Sequence, residues 1–166
     1  TAKNSLSSPD GLWFSKSTGI CWIQTDDGAF TDETNCMLLA AVPGTVGDGG
    51  EFVVNNSLTV SGTTTTGTQK TFVGGILGES RLRRFLVAPK GAEVTGLTET
   101  ADGKTLFVNI QHPGESTAKL GFNPTFTFQS QWPGNGGGVT AAYGPAGRPR
   151  SATLMITKDD GGKIGL

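Results

Sequence analysis

Charge is scarce in this chain: Asp, Glu, Lys and Arg make up 16% of its 166 residues, and the formal net charge is −1. With no basic tract, nothing favours nucleic acid as a partner. No apolar run approaches the roughly 20 residues of a membrane span. No stretch carries a helical period long enough to be placed, which excludes a mainly helical architecture. Cysteine occurs twice, at Cys21 and Cys36, without the spacing of a metal site. The two either pair or lie free, and buried small hydrophobes is the plainer reading. Histidine occurs once, at His112. The chain opens at Thr1 with no signal peptide, so a processed or truncated chain is expected.

What is abundant is glycine, 26 residues, together with threonine and serine. Short apolar runs separated by Gly, Asp and Pro punctuation describe a turn-rich, all-β chain, long enough for one domain with a sizeable core. Leu12–Phe14 and Ile20–Thr25 read as strands around a turn at Lys16–Gly19, and Asn35–Val42 as a third strand ended by Pro43-Gly44. Residues 45–78 change texture. They are small, polar and rich in Gly and Thr, as expected of a surface insertion or lid with a hairpin of its own, pinned by Phe52, Val53, Val54, Phe72 and Val73. Arg81–Val87 resumes the strand pattern; its arginines read first as a solvated outer face, with anion binding as the alternative. Phe126 and Phe128 alternate, and Ser151–Thr157 is the last strand.

The most informative stretch is Pro89–Glu115. Asp102-Gly103 is a strong turn signal between two strand-like runs, and His112 stands just beyond the second. Sliding the chain by 85 residues lays Asp10-Gly-Leu12 on Thr95-Gly-Leu97, and Trp22-Ile23 on Phe107-Val108. Units of about four strands, repeated, are the mark of β-propeller blades. The expected division is a first blade at 1–88, carrying the insertion 45–78, and a second at 89–166. First strands of blades line the central channel, so Asp10 and Glu93 would meet at one axial opening. Carboxylates that close repel, raise each other's pKa or share a hard cation. Either acid alone would ordinarily be solvated.

Several blocks occur in a telling order: Ser8-Pro-Asp-Gly-Leu-Trp-Phe14, Cys21-Trp-Ile-Gln-Thr-Asp26, Arg84-Phe-Leu86, Pro89-Lys-Gly-Ala-Glu-Val-Thr-Gly96, Thr105-Leu-Phe-Val-Asn-Ile-Gln-His-Pro-Gly-Glu115, Trp132-Pro133 and Arg148-Pro-Arg-Ser151. Together they resemble the C-terminal part of the PhoX family of alkaline phosphatases, over nearly all of the chain except 45–78. The resemblance implies antiparallel four-stranded blades, about two of a six-bladed β-propeller, incomplete on their own. It also implies an axial cluster of calcium and iron that hydrolyses phosphate monoesters, and a periplasmic or extracellular location. Carried over residue by residue, Glu93 is the first candidate metal ligand and Asp10 the second. Asp26, His112 and Glu115 are candidates for metal or phosphate contact. Each has a plainer role, as turn residue, loop-ordering side chain and solvated acid respectively. Family members are several times longer, so most ligands, including a cysteine, and the remaining blades are expected outside this chain. Two other readings stay open: a calcium-dependent propeller hydrolase of the lactonase type, and a non-catalytic β-repeat binding module.

Overall fold

The computed structural model describes residues 6–29, 33–45, 47–76, 78–117, 128–134 and 148–165. Strands β1 (Pro9–Phe14), β2 (Cys21–Thr25), β3 (Met37–Ala41) and β6 (Leu82–Val87) form one antiparallel sheet in the order β1-β2-β3-β6. Between β3 and β6 the chain leaves the sheet as a hairpin, β4 (Glu51–Val60) and β5 (Thr63–Phe72). A second antiparallel sheet follows, β7 (Glu93–Glu99), β8 (Thr105–Gln111) and β9 (Ala152–Thr157). Against four strands expected in each sheet, the second has three among the described residues. No helix is assigned among the described residues. The reading of residues 116–147, including Phe126, falls largely outside the described residues.

Strands such as β8 and β9 alternate in burial, while β2 and β3 are buried on both faces. In β8, Leu106, Val108 and Ile110 are buried while Asn109 and Gln111 are exposed, so every second side chain faces the first sheet. From the first sheet, Trp22 and Leu38 meet them, and Val94 and Leu97 of β7 close the same core. Each fully buried aliphatic side chain contributes roughly 1.5–3 kcal/mol. The other face of the first sheet buries Cys21, Met37, Leu39, Ala41 and Leu82, with Leu6 and Ile23 packed against them. Cys21 and Cys36 are both free and buried, as the reading of small hydrophobes expects.

The repeat read from the sequence has a structural counterpart. Both β1 and β7 are irregular at the matched glycine, between Pro9 and Leu12 and between Thr95 and Leu97. In both sheets an amide side chain from the neighbouring strand occupies the space that a Cβ would need. It is Gln24 Oε1 at 2.5 Å for Gly11 and Asn109 Nδ2 at 2.7 Å for Gly96. Gln24 and Asn109 are themselves 85 residues apart.

The insertion differs from expectation in one respect. It is a hairpin, but Phe52 and Phe72 are 58% and 72% exposed and pin nothing. Its strands contact each other and no other strand. What holds its base is Asp48, whose carboxylate accepts hydrogen bonds from the N–H groups of Thr45 and Gly75. Backbone bonds between Gly49 and Val73 and between Gly50 and Val73 close the neck.

Candidate functional site

Glu93 opens β7 and pairs across the sheet with Gln111, the last residue of β8. Gln111 Nε2 donates to Glu93 Oε2 at 3.0 Å, and His112 Nε2 lies 3.2 Å from the same oxygen. The carboxylate is therefore gripped from one side by two groups adjacent in sequence. Its residue is 8% exposed, the least exposed of the acids singled out from the sequence.

The segment after β8 explains how His112 reaches it. His112 has φ +35°, in the left-handed region that a non-glycine residue rarely adopts. Its N–H donates to Ser151 Oγ at 2.9 Å, and its carbonyl accepts from Glu115 N at 3.0 Å. The Pro113-Gly114 turn then docks on the entry to β7: Gly114 N donates to Lys90 O and Glu115 N to Gly91 O. Gly91 permits this approach, because a Cβ there would sit 3.1 Å from Gly114 Cα and Glu115 N. The docking leaves the imidazole between two carboxylates, with Nδ1 3.4 Å from Glu115 Oε2.

Asp10 and Asp26 arrive from the first sheet. Asp10 lies in β1, whose neighbour Pro9 pairs with Thr25, and Asp26 N donates to Ser8 O at 3.1 Å. Glu93 is pushed above its ordinary value of 4.5, first by burial, then by the Asp10 carboxyl within hydrogen-bonding reach, then by the charge of Asp26. The His112 contact works the other way, and the Asp10 charge adds a smaller upward push. Two carboxyl groups in contact cannot both ionise without cost, so the pair retains a proton or takes up a cation.

The structure thus brings Asp10 against Glu93, with Asp26 and His112 around them; Glu115 stands on the far side of the imidazole. A cleft of about 280 Å³ opens beside them, lined in part by Asp26, Asp27, Cys36, His112 and Glu115. Asp10, Asp26 and Glu115 are exposed, so only Glu93 is a buried acid at this place among the candidates. Among the described residues no group of three or more His, Cys, Asp or Glu side chains has an arrangement that would hold a metal ion.

Two participants escape a reading by residue type. Gln111 is the closer donor to Glu93; counting strand partners outward from the Asp102-Gly103 turn puts His112 opposite Glu93, and the irregularity between Thr95 and Leu97 moves the partner to Gln111. Asp27, which is 4% exposed, accepts from Ser7 Oγ and from Ala29 N and donates its own N–H to Cys36 Sγ. It buttresses the loop that carries Asp26. No sequence signal separates it from its neighbour, since Asp26 and Asp27 are adjacent and identical in type.

The model of a family described as "Alkaline phosphatase PhoX" matches residues 1–114. Among solved structures, Pseudomonas fluorescens PhoX in complex with vanadate, a transition state analogue, is similar to this chain with a TM-score of 0.56 and 33% identity. The similarity covers 95% of this chain and 19% of that one, so the chain spans about a fifth of the length of that relative. No curated protein matches the chain.

Proposed function

The chain belongs to the PhoX family of alkaline phosphatases, and from that premise we propose that it is the C-terminal part of a metal-dependent phosphatase that hydrolyses phosphate monoesters. In this reading residues 1–88 and 89–166 are two blades of a propeller, and the rest of the ring comes from outside this chain. Glu93 is the principal metal ligand that the chain supplies, and Asp10 is the second. Calcium and iron are the proposed ions, and an exported location, periplasmic or extracellular, goes with them.

One observation carries this reading: the buried carboxylate of Glu93, held at Oε2 by Gln111 and His112, its pKa pushed up by burial and beside it by Asp10 and Asp26. Hard cations take oxygen ligands, and a pair of carboxylates that repel in the absence of a counter-charge is a donor set of that kind. The residues present therefore fit such an ion in type, though not in number. Two carboxylates and a nearby Asp26 are a fraction of the six to eight oxygens that calcium takes. The remaining ligands belong to the parts of the molecule outside this chain. Bound ions in such a cluster polarise phosphoryl oxygens and offset the charge that develops in transfer. The chain's own contribution is orientation. Gln111 and His112 hold Oε2 of Glu93, which fixes the carboxylate against rotation. Glu115 Oε2 lies 3.4 Å from the other ring nitrogen, Nδ1. The relative solved with a phosphoryl-transfer mimic supports this choice of reaction class.

The test uses a complete protein containing this segment. Glu93→Gln keeps the shape and removes the charge, so metal content by mass spectrometry and hydrolysis of p-nitrophenyl phosphate should fall together. Glu99→Gln on the same strand should change neither, because Glu99 accepts from Lys16 N, 2.8 Å away, and an amide oxygen still can. Unaltered metal content in Glu93→Gln would remove Glu93 from the site. Lactone hydrolysis without phosphatase activity would redirect the reaction class.

A further inference from the structure

His112 holds a backbone conformation that a residue with a Cβ seldom adopts, and two hydrogen bonds fix it there from opposite sides. The angle φ relates the peptide plane before a residue to the one after it. The plane before is held where His112 N–H donates to Ser151 Oγ at 2.9 Å. The plane after is held where the His112 carbonyl accepts from Glu115 N at 3.0 Å. With both planes held, φ stays at +35° and the ring is directed so that Nε2 lies 3.2 Å from Glu93 Oε2. Backbone strain of this kind persists only where the surroundings over-determine it.

Ser151 is free for this bond because the ladder between β8 and β9 stops early. Its last pair is Ile110 with Ala152, whereas β7 continues beside β8 to Glu93 and Gln111. Past Ala152 the acceptor for the His112 N–H is a side-chain hydroxyl and not a β9 carbonyl. Ser151 is itself set from both sides: Ala152 is paired in the sheet, and Arg150 N donates to Trp132 O at 3.1 Å. Pro149 lies against the Pro113-Gly114 turn, where a Cβ on Gly114 would meet Pro149 Cγ at 3.3 Å. The Arg148-Pro-Arg-Ser151 block therefore reaches the turn that carries the imidazole.

We propose that Ser151 is a positioning residue. Its hydroxyl holds the His112 backbone so that the imidazole, together with Gln111, presents Glu93 to a hard cation. Ser151 touches neither cation nor substrate and acts only through His112. The inference rests on the reading of Glu93 as a metal ligand. Without the hydroxyl, His112 relaxes toward negative φ, which redirects its Cβ and withdraws Nε2 from Glu93. The carboxylate then keeps Gln111 alone. Held at one point in place of two, it samples more orientations and binds a cation more weakly. A serine that merely opened a strand would have no such route to the site.

Calcium affinity tests it, on a complete family protein carrying this segment. Equilibrium dialysis against buffered calcium, with bound metal measured by mass spectrometry, gives the half-saturating concentration. Ser151→Ala should raise it about three- to tenfold, the range expected for loss of one hydrogen bond. Ser151→Thr keeps the hydroxyl and should stay within about twofold of the parent. In a His112→Ala background, Ser151→Ala should add less than about twofold, because its route to the site is gone. A serine that only stabilised the fold would shift binding equally in both backgrounds, and that result overturns the proposal. So does an unchanged half-saturation in Ser151→Ala, or a loss in Ser151→Thr as large as in Ser151→Ala. Where Ser151→Ala impairs folding, the Ser151→Thr variant and the His112→Ala comparison still decide. Glu93→Gln, dialysed in parallel, keeps the two inferences apart. If it binds calcium as the parent does, the metal reading fails and this proposal with it. If it loses calcium while Ser151→Ala does not, this proposal fails alone.

Discussion

Replacing Gly96 by alanine should destabilise the second sheet, and the size of the effect follows from two local facts. Gly96 has φ +41°, a conformation that costs a residue bearing a Cβ about 1–2 kcal/mol. The added Cβ would also lie 2.7 Å from Asn109 Nδ2, so that amide must move. Its Oδ1 accepts from Thr153 Oγ1 at 2.7 Å, a bond between β8 and β9 worth about 0.5–1.5 kcal/mol. A stiffer unfolded chain returns about 0.4–1 kcal/mol. The net is about 2 kcal/mol, equivalent to a fall in Tm of roughly 4–8 °C for a chain of this size. Thermal and urea unfolding followed by circular dichroism would measure it. Gly11→Ala has only the steric part, because Gly11 does not adopt positive φ, and it should cost less despite the closer contact with Gln24. In a double-mutant cycle, Gly96→Ala with Asn109→Ala should cost less than the two single changes together, since the second relieves the clash created by the first. A Gly96→Ala variant within about 0.5 kcal/mol of the parent, or strict additivity in the cycle, would refute the reasoning.

Three further outcomes follow from the structure. In the metal-free chain, Glu93 holds a proton more tightly folded than unfolded, so its contribution to stability is lost as pH rises from 4.5 through the folded value. The Tm advantage of Glu93→Gln should therefore grow between about pH 4 and pH 8, and an advantage that stays constant would deny the shift. Deleting residues 51–72 and joining Gly50 to Val73 across their existing 3.1 Å hydrogen bond should keep a single cooperative transition, with Tm changed by less than about 4 °C. Loss of cooperativity would show that the hairpin supports the sheets. Burial raises both thiols, at Cys36 against the backbone hydrogen bond at Asp27 and with the charges of Asp26 and Asp27, so a disulfide reagent should label neither in the native chain and both after denaturation. Rapid native labelling would place at least one at the surface.

Much of the framework was legible because β structure writes itself in alternation and punctuation. The Asp102-Gly103 turn, flanked by β-branched and aromatic runs, set the register of β7 on β8 to within one residue. The shift of 85 residues matched not only Gly11 with Gly96 but the amides that fill the space beside them. The insertion was less legible. Alternation places Phe52, Val54, Leu58 and Val60 on one face of the hairpin, interrupted by Asn56, with Thr71, Gln69, Thr65 and Thr63 as their partners across the strands. Composition averages that face away, and apolar residues in a polar segment were read as anchors. They anchor nothing in this chain because ten paired residues per strand satisfy the backbone without any contact to a sheet.

The site was half legible, for a physical reason that separates its two halves. Pairing brings Gln111 and His112 to Glu93, and pairing is local: eighteen residues of hairpin decide it, and turn chemistry reports it. Burial of Glu93 is not local. It depends on β1 and the loop after β2, more than sixty residues away, packing against β7 and bringing Asp10 and Asp26 with them. Nothing in the composition around Glu93 distinguishes it from Glu99, which also lies on β7 and only caps a backbone N–H. The distinction arises when the second sheet meets the first, at the end where two acids already stand. A carboxylate that is desolvated there, held on one side by Gln111 and His112 and faced on the other by the acids Asp10 and Asp26, is destabilised in its ionised form until a counter-charge arrives. That cost of ionisation, and not the presence of an acid in a motif, is what marks Glu93 as the position proposed to take a cation.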